Sequence, residues 1–483
     1  MRFASFQLVL FVCGMTLNIL ALAMAVPAVL DVLDGNAEWP AFAVSAALTA
    51  FFGSLMAEAN RGAKRHIDAR TGALVTTASW VLVCAFGALP LKSALRIGYT
   101  DAFFEAMSGL TTTGSTVLTG LDDMAPGVLL WRSMLQWIGG LGIIALAMIM
   151  LPFLRVGGMQ LFHSESSDIS ERVVPRAVHV VALTALVYVV LTIFSAAGLI
   201  AAGMSPFDAI NHAMCAIATG GFSTKDASVG AYNSPAIEAV LIASMVAGAL
   251  PLVFYARLVM NARRALLRER QVPAFLLLWA GAVLAVSVLR WHTGGVPFSS
   301  AFRDSAFSVT SILTDTGFTT ADYGTWGHWA IGIFLVLLFV GGCAGSTAGA
   351  IKIFRWQILL RSMAVQFDHI LSPHRVAMVR YGDRPVPPET VDSVRNFFFM
   401  YLMTWTVLSI AVMVTGVDFL SAISGVAQAM AGAGPGLGQL VGPAGNFQTI
   451  PPAAKWILSA AMLLGRLELS TVYVLLTRGF WRE

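Results

Sequence analysis

Apolar runs long enough to cross a bilayer alternate along this chain with short polar connections. A transmembrane helix takes about 20 residues, and runs of that order fall at roughly 5–30, 38–57, 73–95, 127–153, 178–202, 235–260, 273–292, 327–362, 393–416 and 452–478. The 327–362 stretch is too long for one plain span and is interrupted in its middle. Four shorter segments, 101–116, 208–224, 304–320 and 418–438, sit between runs that cross. The third of them shows the type: Asp304 opens about ten mostly apolar residues that end in a Thr/Gly/Thr cluster suited to no helix interior. A short helix that enters the membrane, stops at a Gly-Thr turn and returns is a re-entrant pore loop. Non-helical backbone at that depth is tolerated only where it lines a cavity or is buried in protein.

The four segments share a register. Asp101-Ala-Phe-Phe-Glu leads to Gly114, Asp208-Ala-Ile-Asn-His to Gly221, Asp304-Ser-Ala-Phe-Ser to Gly317 and Ser421-Ala-Ile-Ser-Gly to Gly434, always 13 positions on. Asp101, Asp208, Asp304 and Ser421 are therefore expected as the N-caps of the pore helices, accepting from their first free N–H groups. The pattern predicts an all-α polytopic membrane protein of four pseudo-repeated helix–pore-loop–helix units around one pore, preceded by an N-terminal transmembrane hairpin. The expected boundaries are 1–60 for the hairpin, then 73–155, 176–265, 272–365 (with the interrupted second helix) and 393–483 for the repeats. Residues 366–392 form a cytoplasmic linker.

Charge sets the orientation. Residues 58–72, 155–176, 256–272 and 352–395 are rich in Lys and Arg, and the connections between them are not, so the first set is expected in the cytoplasm with both termini. Only 12% of residues are charged and 57% are hydrophobic, against about a quarter charged in a soluble domain. The net charge of +4 resides in topology-setting loops and implies no nucleic-acid partner. The first apolar run is too long for a signal-peptide core and reads as a retained span. Cys13, Cys84, Cys215 and Cys343 have no CxxC spacing and read as small buried side chains. No nucleotide-binding glycine loop, nucleophile elbow or zinc spacing points to an enzyme.

Four helices ending at such turns would aim the negative ends of their dipoles at one axis and favour a cation. Glycines there permit a backbone that presents carbonyls to an ion. A single Gly/Thr cluster is more often a helix-packing motif; four in register are not. The candidate filter residues are Thr112, Thr113 and Gly114; Thr219, Gly220 and Gly221; Asp315, Thr316 and Gly317; and Gly432, Ala433 and Gly434. A second candidate is Gly341, Gly342, Gly345, Ser346, Thr347 and Gly349, inside the long interrupted run. It is either a small-residue packing seam or a break that leaves carbonyls unpaired, with Lys352 beyond it expected to reach the cytoplasmic interface. Arg466 in the last span either snorkels to that interface or faces the pore interior, since an arginine at a helix centre costs about 3 kcal/mol. His212 reads as a packing group, and Asp122, Asp123, Asp226 and Asp322 as outer-face acids that draw cations in.

Thr111-Thr-Thr-Gly-Ser-Thr116, Ala218-Thr-Gly-Gly-Phe-Ser-Thr224, Asp315-Thr-Gly-Phe-Thr-Thr320 and Gly434-Pro-Gly-Leu-Gly438 resemble the filters of the Trk/Ktr/HKT potassium-transport superfamily. Gln136-Trp-Ile-Gly-Gly-Leu-Gly142 and Leu161-Phe-His-Ser-Glu165 resemble its bacterial Trk branch. The resemblance spans essentially the whole chain. It implies K+ as the transported ion, bound at the filter residues, and uptake across the bacterial inner membrane through one pore per subunit. It also implies a homodimer and control by a cytosolic nucleotide-binding ring of the TrkA type. It makes 341–349 an intramembrane gating loop, with Arg466 as the cation that closes it. Asp315 stands where a hydroxyl residue is usual, Ala350 where a glycine is, and the fourth loop lacks a threonine. The alternatives are a KdpA-like pore subunit of an ATP-driven pump, or a symporter coupled to H+ or Na+, for which Glu468 and Asp315 are the near-membrane candidates.

Overall fold

The computed structural model describes residues 3–63, 68–150, 173–258, 269–374, 377–382 and 384–481. Among them the chain is helical apart from loops and one two-residue-stranded hairpin, Arg380–Tyr381 with Arg384–Pro385. The motif Leu161–Glu165 and most of the basic residues of 155–172 and 259–268 lie outside the described residues.

Helices α1 (Phe3–Leu33) and α2 (Trp39–Ala59) form the N-terminal hairpin. They cross closely because Gly14 and Gly53 leave no side chain between them: a Cβ on Gly14 would stand 2.6 Å from the Ala57 nitrogen. Small residues at a crossing are how membrane helices gain packing when lipid is as apolar as they are. The hairpin is fastened to the first pore unit by Asp31, buried, whose carboxylate accepts from the Gly127 N–H at 2.8 Å.

Four units come next along the chain. Each has an outer helix, a short buried pore helix and a return helix: α3 (Ala69–Leu95), α4 (Tyr99–Leu110) and α5 (Pro126–Met150); α6 (Val173–Ala201), α7 (Pro206–Ile217) and α8 (Pro235–Ala249) with α9 (Leu252–Leu258). The third comprises α10 (Gln271–Gly294), α11 (Phe298–Leu313), α12 (His328–Leu337) and α13 (Ile353–Leu371). The fourth comprises α14 (Pro388–Val414), α15 (Phe419–Ala431), α16 (Pro452–Arg466) and α17 (Leu469–Leu476), with a short α18 (Arg478–Trp481) after it. Leu22, Phe51, Phe194, Leu277 and Val414 project outward from the long helices, the expected face toward lipid. All four cysteines are buried and free.

The expected N-caps are corrected. Asp101, Asp208 and Ser421 lie three residues inside their helices, whose caps are Gly98, Ser205 and Asp418. Ser205 accepts from the Asp208 N–H at 3.1 Å, and Asp418 from the Ser421 N–H at 3.0 Å. Asp304 is deeper still, in a helix capped at Pro297. The shared register marks positions inside the helix rather than its cap. The acids do other work: Asp101 pairs with buried Lys455 at 2.6 Å and Asp304 with Arg290 at 2.6 Å, each tying a pore helix to a neighbouring element.

The number of broken spans is also corrected. Besides the predicted interruption between α12 and α13, the return helix of unit 2 bends by 96° at Leu250–Pro251 and that of unit 4 by 114° at Leu467–Glu468. Pro251 has no N–H to donate to Ala247 O, and the Tyr255 hydroxyl takes that place at 2.8 Å.

Candidate functional site

The four pore loops meet in a ring whose order is that of the chain. Gly114, Gly221, Gly317 and Gly434 all have φ between +77° and +92°. A Cβ on Gly114 would collide with Gly220 O, one on Gly221 with Thr316 O and one on Gly317 with Ala433 O. A Cβ on Gly434 would reach to 3.1 Å from Thr113 O. Each glycine thus abuts the carbonyl that precedes the next glycine, and the circuit closes from unit 4 back to unit 1. No side chain fits anywhere on it.

Two residues before each glycine the backbone is left-handed again, at Thr112 (φ 54°), Thr219 (φ 51°), Asp315 (φ 57°) and Gly432 (φ 82°). Three side chains therefore occupy a conformation that usually falls to glycine, a strain that persists only where the surroundings impose it. Hydroxyls do the imposing. Thr113 shares a hydrogen bond with Thr111, and Thr316 with Thr314, both at 2.8 Å. Ser115 Oγ donates to Gly434 O at 3.0 Å, joining the first loop to the fourth.

Behind the ring lies a polar brace in which Gln136 belongs to a sequence motif and Arg132 and Glu105 do not. Arg132 on α5 is buried and donates to Glu105 on α4 at 2.8 Å, to Ser223 O at 2.9 Å and to Thr116 Oγ1 at 3.2 Å. Glu105 also accepts from Thr116 and from the Val117 N–H. One buried ion pair thereby holds loops 1 and 2. Gln136, in the Gln-Trp-Ile-Gly-Gly stretch, clamps loop 2 from both sides, donating to Gly220 O at 2.6 Å and accepting from the Phe222 N–H at 3.0 Å. The signal for Arg132 is present in the sequence as a lone arginine inside an apolar run. His212 stacks on Phe318 and bonds Asp208 O and Ser223 Oγ, as a packing group would.

Three of the acids expected on the outer face are tied to backbone N–H groups or a lysine. Asp226 accepts from the N–H groups of Gly120 and Leu121, Asp122 pairs with Lys225 at 3.2 Å, and Asp322 accepts from Gly324 N. Asp226 and Lys225 help to line a cavity of about 80 Å³ above the ring, floored by the four ring glycines.

Beneath the ring the space is nearly gone. A cavity of about 10 Å³ remains, bounded by Thr113, Gly349, Ala431, Gly432 and Arg466; a water needs about 10–15 Å³. The stretch 341–349 fills the rest, and its bonding accounts for carbonyls that the helix ends and the break at Pro251 leave open. Cys343 N donates to Ala249 O at 3.0 Å and Thr347 N to Gly248 O at 3.3 Å. Thr347 Oγ1 stands 2.9 Å from Ile217 O, the end of pore helix α7, and Ala350 N donates to Ala431 O at the end of α15. Arg466 Nη1 donates to Thr347 O at 2.8 Å, so the arginine faces the interior. Of the predicted set, Gly341, Gly342, Gly345, Ser346, Thr347 and Gly349 thus form one plug with Arg466 under the loops. The segment reaches three helix ends: the N–H groups of Cys343 and Thr347 meet α8, the Thr347 hydroxyl meets α7, and Ala350 N just past it meets α15. Lys352 is a correction: its ammonium folds back to Ala348 O instead of reaching the cytoplasmic interface. Glu468 is paired with Arg355 at 2.7 Å and is not a free mid-membrane carboxylate.

A family model described as "Cation transport protein", TrkH, matches residues 39–479. The chain is 41% identical over 467 residues to the Trk system potassium uptake protein TrkI of Halomonas elongata, covering 96% of this chain and 95% of that one. To TrkH of Escherichia coli K12 it is 35% identical, covering 99% and 100%. The crystal structure of the potassium transporter TrkH from Vibrio parahaemolyticus superposes over 100% of both chains with a TM-score of 0.92 at 34% identity.

Proposed function

The chain belongs to the TrkH family of cation transport proteins, multi-pass membrane transporters and not enzymes, and on that premise we propose that it takes up potassium through the four-loop ring. The observation that carries the reading is the closed circuit of filter glycines against the carbonyls of Thr113, Gly220, Thr316 and Ala433. Carbonyl rings substitute for the hydration shell of a permeant cation. Four pore-helix ends supply negative partial charge just below it. The relatives named as potassium uptake proteins make K+ the ion to test first.

In this reading residues 341–349 with Arg466 are the gate, and the scant space left between them and the ring supports a closed state. The block is electrostatic as much as steric. The carbonyl ends of α7 and α15 that would steady a cation in the cavity are occupied by N–H and hydroxyl groups of the loop, and the Arg466 guanidinium adds a positive charge beside them. We place the chain in the inner membrane with both termini in the cytoplasm, as a homodimer under control of a cytosolic nucleotide-binding ring. The positive-inside pattern of 58–72 and 352–395 supports the orientation. Ion pairing of Glu468 argues against proton- or sodium-coupled symport through that residue.

The deciding experiment is uptake of K+, Rb+ and Na+ by purified protein in liposomes, with and without an imposed proton gradient. K+ and Rb+ flux well above Na+ flux, indifferent to the proton gradient, is expected. Equal Na+ and K+ flux would remove the selective filter, and gradient-driven flux would replace the channel with a symporter.

A further inference from the structure

Asp315 is the oddity of the ring. It occupies the left-handed position two residues before Gly317, equivalent to Thr112, Thr219 and Gly432. A side chain at that position is directed down toward the plug: Thr219 Oγ1 stands 3.3 Å from Thr347 Oγ1 of loop 341–349. The Asp315 carboxylate meets both ends of the same loop. A Cβ placed on Gly341 would be 3.1 Å from its Oδ2, and the Gly349 backbone is near enough to act on it. Asp315 is fully buried, and neither carboxylate oxygen completes a hydrogen bond. A bare carboxylate in such a place is costly unless positive charge faces it. Lys352 and Arg466 are the cations whose charge acts on it, and both are fastened to the same loop through Ala348 O and Thr347 O. Arg466 also keeps Nε and Nη2 unpaired.

We propose that Asp315 is the counter-charge of the closed gate, a filter-loop carboxylate that holds Lys352 and Arg466 beneath the ring by balancing two cations that otherwise repel each other. This rests on the reading of 341–349 as the gate. The physical content is a sum of charges in a low-dielectric site. Glu468 and Arg355 also act on Lys352 but are paired with each other; the remaining cluster carries one net positive charge with Asp315 and two without it. When the loop and Lys352 withdraw, the carboxylate stays on the filter loop. It then faces the emptied cavity, where a permeant cation replaces the lysine. Thr112 and Thr219 bring no charge to the corresponding places, so the third quadrant alone couples filter to gate in this way.

The test is a double-mutant cycle read as Rb+ uptake into liposomes in the absence of any regulatory subunit. Asp315→Asn, which keeps the shape, should raise basal uptake several-fold. Lys352→Met added to it should bring uptake back toward the original level, because one of the two unbalanced cations is gone. Asp315→Thr, which installs the hydroxyl found in units 1 and 2, should leak as Asp315→Asn does. If the single variants prove unstable, thermal melting in detergent reads the same coupling: Lys352→Met should restore the melting temperature that Asp315→Asn lowers. Unchanged basal uptake in Asp315→Asn, or effects of the two substitutions that simply multiply, would overturn the proposal. Absence of Rb+ uptake even in Arg466→Ala would instead overturn the transport reading on which it stands.

Discussion

Arg132 shows how much one residue can carry in this protein. Its guanidinium lies over the Phe222 ring at 4.1 Å while its nitrogens hold Glu105, Thr116 and Ser223. Arg132→Met would strand Glu105 as an uncompensated buried charge, a loss of about 3–5 kcal/mol. A marked fall in melting temperature in detergent is expected, partly reversed by adding Glu105→Gln. The filter glycines fail differently. Gly221→Ala meets Thr316 O and must also hold a left-handed backbone, which costs about 1–2 kcal/mol in its own right. The chain should fold, since the strain is confined to the ring, yet lose most of its discrimination between K+ and Na+ in liposome flux. At this scale sequence reading is strong where the residue type is unusual for its place, as at Gly317 or Arg466. It is weak where a partner distant in sequence decides the role: Asp101 looks like a cap until Lys455 is beside it.

At the scale of elements, the breaks in the return helices matter most. Units 2, 3 and 4 are interrupted below the ring and unit 1 runs on as α5. Each break frees backbone groups that must be satisfied where water is scarce, and loop 341–349 satisfies those of unit 2 through Cys343 and Thr347. On the proposed gating role, a segment held to helix ends by hydrogen bonds is withdrawn as a unit. Arg466→Ala removes the bond to Thr347 O and the barrier charge together, so a several-fold increase in basal K+ flux is expected in liposomes. Thr347→Val keeps the volume and loses the hydroxyl that reaches Ile217 O and Gly248 O, and should give a smaller increase. The glycine-rich break in unit 3 is visible in the sequence by its composition. The break in unit 2 rests on Pro251 alone, and that in unit 4 on Glu468 with φ 62°, signals too small to separate from an ordinary span.

For the whole molecule, the hairpin α1–α2 is fixed to unit 1 through Asp31 and Gly127, and the four units close on one axis. Orientation is testable directly. Single cysteines placed at Asp123 and at Asp368, in a background with the four buried cysteines replaced, should label from opposite sides of intact cells with an impermeant maleimide. Asp123 is expected outside and Asp368 inside. Labelling of both from one side would contradict the four-unit topology.

The sequence alone determined the apolar segments, the four-unit order, the four glycines that meet in the ring and the membrane setting. All of these arise from local pattern: apolar length against bilayer thickness, and glycine where no side chain can stand. Only the tertiary structure decided the partners of the charges and the position of the plug. Asp304, Glu105, Glu468 and Asp315 are all carboxylates in apolar surroundings and look alike along the chain. Three of them are paired with a guanidinium, and the fourth is buried with neither oxygen hydrogen-bonded. That difference arises from residues up to a hundred or more positions apart, brought together by the closure of the ring, and no local pattern encodes it.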